Sequence, residues 1–201
     1  MNALEMLLRR MANLFQERRQ PWALVGGLAV SVRTEPRFTR DLDLAVAVAN
    51  DHAAEALVHD LHGVGFHTLA TVEQEATHRL ATARLAPSGS HPQGLILDLL
   101  FASSGIETEI CQAAENLTVF PELSVPVARL YHLITLKVLA RDDRTRPQDA
   151  ADLRQLIAVA EPSDLVSACT AGHLIETRGF HRSRNLVQAV QEAFHEFRRD
   201  A

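Results

Sequence analysis

Two carboxylates inside an otherwise apolar run constrain this chain more than any other feature. In LVGGLAVSVRTEPRFTRDLDLAV, residues 24–46, the segment beginning RDLDLAV has the pattern of a buried strand, yet it carries Asp41 and Asp43. Residues i and i+2 of a strand point to the same side, so the two acids share one face, their Cα atoms about 7 Å apart. Leu42, Leu44 and Val46 take the other face. Left alone, such a pair repels and resists desolvation, at a cost on the order of several kcal/mol. A hard divalent cation removes that cost, and magnesium, which prefers carboxylate oxygen and completes its shell with water and phosphate, is the expected ion. Upstream, Gly26 and Gly27 lie at a predicted strand-to-helix junction, where bare N–H groups and the helix dipole favour an anion and the missing side chains let it come close. A third carboxylate, Asp98, stands in LILDLLFA, another apolar strand, where a further metal ligand or a base for an attacking hydroxyl would be placed.

The chain has 201 residues, 47% hydrophobic and 22% charged, enough for one large domain or two small ones. Its formal net charge of -5 argues against a surface built mainly to grip nucleic acid, while leaving room for a local basic groove. Cys111 and Cys169 match no metal spacing and suit two free thiols in a reducing compartment. Glu5, Arg9 and Arg10 interrupt the apolar N-terminal stretch, which therefore lacks the core of a signal peptide, and no segment has the ~18 uninterrupted apolar residues of a membrane span. A soluble cytoplasmic protein without membrane association is expected.

Periodicity predicts an amphipathic helix over Leu4–Phe15, a strand at WALVGG, a helix at GLAVSVRT and the Asp41/Asp43 strand. NDHAAEALVHDLHGVG reads as a helix capped by Asn50 or Asp51 and ended by Gly63 or Gly65. FHTLATV and HRLATARLA read as strands, PSGSHPQG (residues 87–94) as a loop, and LILDLLFA as a strand. GIETEICQAAENL is expected to be a helix, followed by extended pieces around Phe120 and Val125. From about Val127 the segments ARLYHLITLKVLARDD, PQDAADLRQLIAVA, PSDLVSACTAGHLIET and SRNLVQAVQEAFHEFRR all have helix period. The fold class is therefore mixed α/β, with flanking helices and a C-terminal helical bundle, divided into a domain of residues 1–126 and a helical domain of residues 127–201. The basic runs HRSRN (181–185) and FRRD (197–200) read as helix-terminal charge, with contact to RNA as the lesser alternative.

The order of glycine pair, 13 intervening residues, Asp-x-Asp in a strand and a lone Asp in a later strand resembles the polymerase β-like nucleotidyltransferase superfamily. RFTRDLDL and LKVLARDDRTRPQDAADLRQLI are similar to the R-x-T-x-D-h-D and the Lys…Arg…Asp-x-x-Asp-Leu signatures of the AbiEii/AbiGii-type toxin nucleotidyltransferases. The resemblance implies metal binding by Asp41 and Asp43, a metal or catalytic role for Asp98, and phosphate contact by the backbone of Gly26 and Gly27. It implies that Lys137 reaches the triphosphate and that Asp149 and Asp152 form the last acidic motif, implicated in activity. Arg37 and Thr39 share the parity of Asp41 and would face the nucleotide if the extended run begins that early; Arg141, one turn beyond Lys137, is a second candidate for phosphate charge. Gly27 occupies a position where the superfamily often has serine, which removes a hydroxyl but keeps the backbone donors.

The activity so implied is transfer of a nucleoside monophosphate from a triphosphate to an acceptor hydroxyl, with two magnesium ions, or manganese, as cofactor. The acceptor would be a tRNA 3′ end or a protein, and the partner a cognate antitoxin. Two alternatives belong to other classes: an inactive nucleotide-binding module or antitoxin-type partner protein, and a transferase acting on a small molecule such as an antibiotic.

Overall fold

The computed structural model describes residues 2–89, 94–142, 144–145 and 147–198. Residues 90–93 of the expected 87–94 loop, together with Asp143, Arg199 and Asp200 from the expected helices and C-terminal basic run, lie outside these.

The chain opens with helix α1 (Ala3–Glu17), whose buried Leu7, Leu8, Met11 and Phe15 recur at helical spacing, and Asn2 caps it by accepting from the Glu5 N–H at 2.7 Å. Then follow β1 (Trp22–Val25), α2 (Gly26–Arg33), β2 (Asp41–Val46) and α3 (Asp51–Gly63), the last capped by Asn50. Strands β3 (Phe66–Glu73), β4 (Leu80–Pro87) and β5 (Ile96–Leu100) complete the next unit. Helix α4 (Glu107–Ala113) leads to β6 (Glu115–Phe120) and β7 (Leu123–Val127). Four helices close the chain: α5 (Leu130–Ala140), α6 (Pro147–Ala158), α7 (Pro162–Thr177) and α8 (Leu186–Arg198).

The strands form one seven-stranded mixed sheet in the order β3-β4-β5-β2-β1-β7-β6. Central β2 pairs antiparallel with β1 and parallel with β5, so Leu42, Leu44, Leu97 and Leu99, all fully buried, pack together under the central strands. Helices α1, α2 and α4 contact β2, while α3 covers β3 and β4. Because α5 is apolar nearly all round, it is buried among α6, α7 and α8, and α2 joins the two layers by touching both α5 and α6. One continuous hydrophobic cluster runs through the sheet and the bundle.

One expected helix is shorter than its sequence pattern suggested. GIETEICQAAENL stays helical only to Ala113, and Glu115 onward forms β6, because Asn116–Thr118 pair with Ser124–Pro126 of β7 in a hairpin whose turn puts Glu122 at φ 60°. Pairing with β7 overrides the local helix preference of the Glu-Asn-Leu segment.

Candidate active site

Register builds the site. Parallel pairing of β2 with β5 sets Asp43 directly beside Asp98, and antiparallel pairing of β4 with β5 sets Arg84 on the other side of Asp98. Asp41, two residues before Asp43, shares its face, and all four side chains line a cleft of about 1130 Å³. Gly26, Gly27, Arg37, Thr39, Lys137 and Asp149 line the same cleft.

Gly26 sits where β1 turns into α2, at φ +64°, and a Cβ there would lie 1.9 Å from Asp43 Oδ2. Backbone and carboxylate therefore approach as closely as only glycine permits. Burial pushes the Asp43 carboxyl up to about 7, the charges of Asp98 and Asp41 add to the rise, and Lys137 and the Gly27 N–H oppose it. The surroundings of Asp43 thus favour a positive charge, and the donors at Asp41 and Asp43 are hard oxygens. That chemistry fits a divalent cation of the magnesium type at these two residues.

Asp98 is differently placed. Arg84 donates to it through Nε at 2.9 Å and Nη2 at 2.7 Å, a bidentate fork. Among the described residues no group of three or more His, Cys, Asp or Glu side chains is arranged to hold a metal ion. The three expected carboxylates share one wall of the cleft but are not assembled into a three-carboxylate cage, because a guanidinium occupies the oxygens of Asp98.

A second cluster joins the helical layer to the loop before β2. Lys137 of α5 bridges Asp149 Oδ1 at 2.8 Å and Asp152 Oδ2 at 2.7 Å, and Arg37 forks onto Asp152 through Nε at 2.7 Å and Nη2 at 2.8 Å. The acids stand three residues apart on one face of α6 and are 2% and 0% exposed, Asp152 lying behind the cleft wall. Burial raises the Asp152 carboxyl, but Arg37 and Lys137 outweigh it and hold the group below the usual carboxylate range. Asp149 and Asp152, expected as an acidic motif implicated in activity, are the buried anchors of two cations. Arg37 and Lys137 reach the cleft while committed to those anchors.

Strand β2 begins only at Asp41, so Arg37 and Thr39 reach the cleft from a loop rather than by strand parity; the Thr39 hydroxyl donates to the Asp41 carbonyl at 3.4 Å. Arg141 is not brought to the cleft. Helix α5 ends at Ala140, and Arg141 turns away at ψ 123° to pair with Glu196 of α8 at 2.8 and 3.1 Å. The expectation that it continues the Lys137 face fails because the helix stops one residue too early.

Arg84 is a cleft residue that stands in none of the sequence motifs. Its signal lay in the alternation of HRLATARLA, which puts Thr82 and Arg84 on one face and the buried Ala81, Ala83 and Leu85 on the other. His181, Arg182 and Ser183 of the HRSRN run, expected mainly as helix-terminal charge, line the cleft between α7 and α8.

A mixed sheet that presents an Asp-x-Asp strand beside a glycine turn, closed by a helical bundle, is the arrangement that the sequence resemblance to nucleotidyltransferases implies. Residues 7–201 match the family described as "Nucleotidyl transferase AbiEii toxin, Type IV TA system", and the chain belongs to that family. Among solved structures it is similar to an antigenic nucleotidyltransferase-like protein from Paracoccidioides brasiliensis, with TM-score 0.60, 18% identity, 98% of this chain and 89% of that one covered. It is also similar to ANT(2″)-Ia in complex with adenylyl-2″-tobramycin, with TM-score 0.54, 14% identity and 100% of both chains covered. A solution structure of the antibiotic-resistance factor ANT(2″)-Ia matches with TM-score 0.52, 16% identity, 100% of this chain and 94% of that one covered. At these identities the likeness is one of fold. No curated protein sequence matches the chain. Among the described residues no helix is long and apolar enough to cross a membrane.

Proposed function

We propose that this nucleotidyltransferase moves a nucleoside monophosphate from a triphosphate to a hydroxyl of a tRNA 3′ end or a protein, in a metal-dependent reaction, as the toxin of a toxin–antitoxin pair. The observation that supports the chemistry is the placement of Asp41 and Asp43 on one face beside the Gly26–Gly27 turn. The cleft of about 1130 Å³ exceeds the ~300–1,000 Å³ of ordinary ligand pockets, which suits a nucleotide together with an acceptor group.

Magnesium or manganese held by Asp41 and Asp43 would neutralise the triphosphate and acidify the attacking hydroxyl, and a second ion would draw on Asp98. The glycine turn supplies a side-chain-free surface on which phosphates can seat. Lys137 commits two of its three N–H donors to Asp149 and Asp152, which fixes the ammonium at the cleft wall with one donor to spare. Arg37, held by Asp152, adds a second fixed cation at the same wall. Catalysis then rests on positioning and on charge already in place, with little reorganisation at the moment of transfer. His181 and Arg182, which line the same cleft, favour a phosphate-bearing acceptor such as RNA.

Incubation with each α-phosphate-labelled triphosphate, magnesium and, separately, total tRNA, cell protein and aminoglycosides tests the reading. The expected result is label on tRNA or protein with the parent and none with Asp41→Asn or Asp43→Asn. Label on an aminoglycoside alone would replace the acceptor, and failure to label any acceptor with any triphosphate would refute transfer.

A further inference from the structure

Arg84 belongs to no motif of the resemblance, yet it forks directly onto one of the three cleft carboxylates, Asp98. It sits at the register position opposite Asp98, both of its donors lie within 2.9 Å of the carboxylate, and its side chain is 46% exposed against 9% for Asp98. Its hydrogen bonds to Asp98, and then the charges of Asp98, Asp41 and Asp43, reinforce its protonated form against the opposing effect of burial. The guanidinium thus stands in the field of all three acids, with open cleft on one side.

We propose that Arg84 is a built-in counter-cation that takes the place of the second divalent ion on Asp98 and must be exchanged for it when the nucleotide loads. This rests on the proposed metal-dependent reading of the site and adds an order of events to it. The fork already takes a lone pair of each Asp98 oxygen and neutralises the group, so in the protein without nucleotide a divalent ion is drawn to Asp41 and Asp43 far more than to Asp98. A guanidinium pulled away from Asp98 needs another planar pair of anionic oxygens, and a triphosphate brings them. Phosphate therefore draws Arg84 from Asp98, the second ion takes its place, and the two ligands bind with positive coupling. Neutral pairing of Asp98 in the resting protein also removes the cost of a buried unpaired carboxylate.

The test is a manganese titration followed by electron paramagnetic resonance, with and without an α,β-methylene nucleoside triphosphate, on the parent, Arg84→Gln, Arg84→Lys and Arg84→Gln/Asp98→Asn. The parent is expected to bind one manganese ion per chain without nucleotide and two with it. Arg84→Gln should bind the second ion without nucleotide, with affinity raised about tenfold, the scale of one charge-assisted interaction. Arg84→Lys, which keeps the charge but not the fork, should lie between them and serves if the Gln variant does not fold; the double variant should lose the gain. Equal stoichiometry and affinity in the parent and both single variants would overturn the exchange, as would two ions on the nucleotide-free parent. A fork that only satisfied a buried acid would lower the melting temperature of Arg84→Gln and leave manganese binding unmoved. Were neither parent nor variants to bind manganese, with or without nucleotide, the metal-dependent reading itself would fall along with the exchange.

Discussion

Replacing Lys137 by Met, which keeps most of the stem and deletes the charge, tests whether this residue is a structural cation as well as a ligand for phosphate. Lys137 is 12% exposed, and its partners Asp149 and Asp152 are 3% and 0% exposed at the side chain, with ion-pair distances of 2.8 and 2.7 Å. Removing one partner of a buried ion pair costs about 3–5 kcal/mol, because the remaining charge has lost its compensation. Arg37 still holds Asp152 in the variant, which places the expected loss at the lower end, ~3 kcal/mol. For a chain of this size that corresponds to a fall in melting temperature of roughly 6–12 °C. The loss carries a pH signature. Asp152 is held below its ordinary 3.8 in the folded state, so its contribution is present above the unfolded value and is lost as pH falls through the folded one. In the variant Asp152 has lost one of the two cations that hold it down and accepts a proton more readily, so the deficit relative to the parent should be full at pH 7 and narrow as pH falls toward 4. Calorimetric unfolding at pH 7, 5.5 and 4 reads both features, and Lys137→Met/Asp149→Asn should recover part of the stability. A loss below ~1 kcal/mol at pH 7, the range of exposed pairs, or a deficit unchanged by acid, would refute the assignment of Lys137 as a buried structural cation.

Asp43→Asn should abolish transfer and, in chelator, stabilise the protein. The folded Asp43 keeps its proton to about 7 against 3.8 for the ordinary group, so the parent loses stability as pH rises between those values. The gain should therefore be absent near pH 4 and reach at most ~4 kcal/mol at pH 8, read by denaturant unfolding; equal gains at both pH values would contradict it. Gly26→Ala must place a Cβ 1.9 Å from Asp43 Oδ2 at φ +64°, and should lose more than ~2 kcal/mol as well as nucleotide-induced thermal stabilisation. Gly27→Ala meets Arg37 Nη2 at 2.5 Å and must disturb its fork onto Asp152, but its backbone is helical and unstrained, so it should be milder; the reverse ranking in a thermal-shift assay would refute the geometry. Arg141→Ala breaks a half-exposed pair with Glu196 and should cost ~1 kcal/mol with nucleotide affinity unchanged in calorimetric titration, whereas weakened nucleotide binding would put Arg141 back in the cleft.

Period and punctuation alone were enough for much of this molecule. The twofold alternation around Asp41 and Asp43 set both acids on one face, and helix period with Pro162 at its start defined α7 over Pro162–Thr177. The glycines at the β1–α2 junction announced a close approach, and the group that leaves no room for a Cβ on Gly26 proved to be Asp43 itself. These are local properties, encoded within a few residues of where they act. What only the tertiary structure decided is which charges meet. The β4–β5 register put Arg84 against Asp98, and the packing of α6 put Asp149 and Asp152 under Lys137 and Arg37, pairings that no local pattern announces. Arg141 was diverted by a helix end, and the extended partner β7 took Glu115–Phe120 from the preceding helix. In each case the deciding contact is with a residue distant in sequence or in another element, and a buried carboxylate takes its role from whichever cation the packing brings within hydrogen-bonding distance.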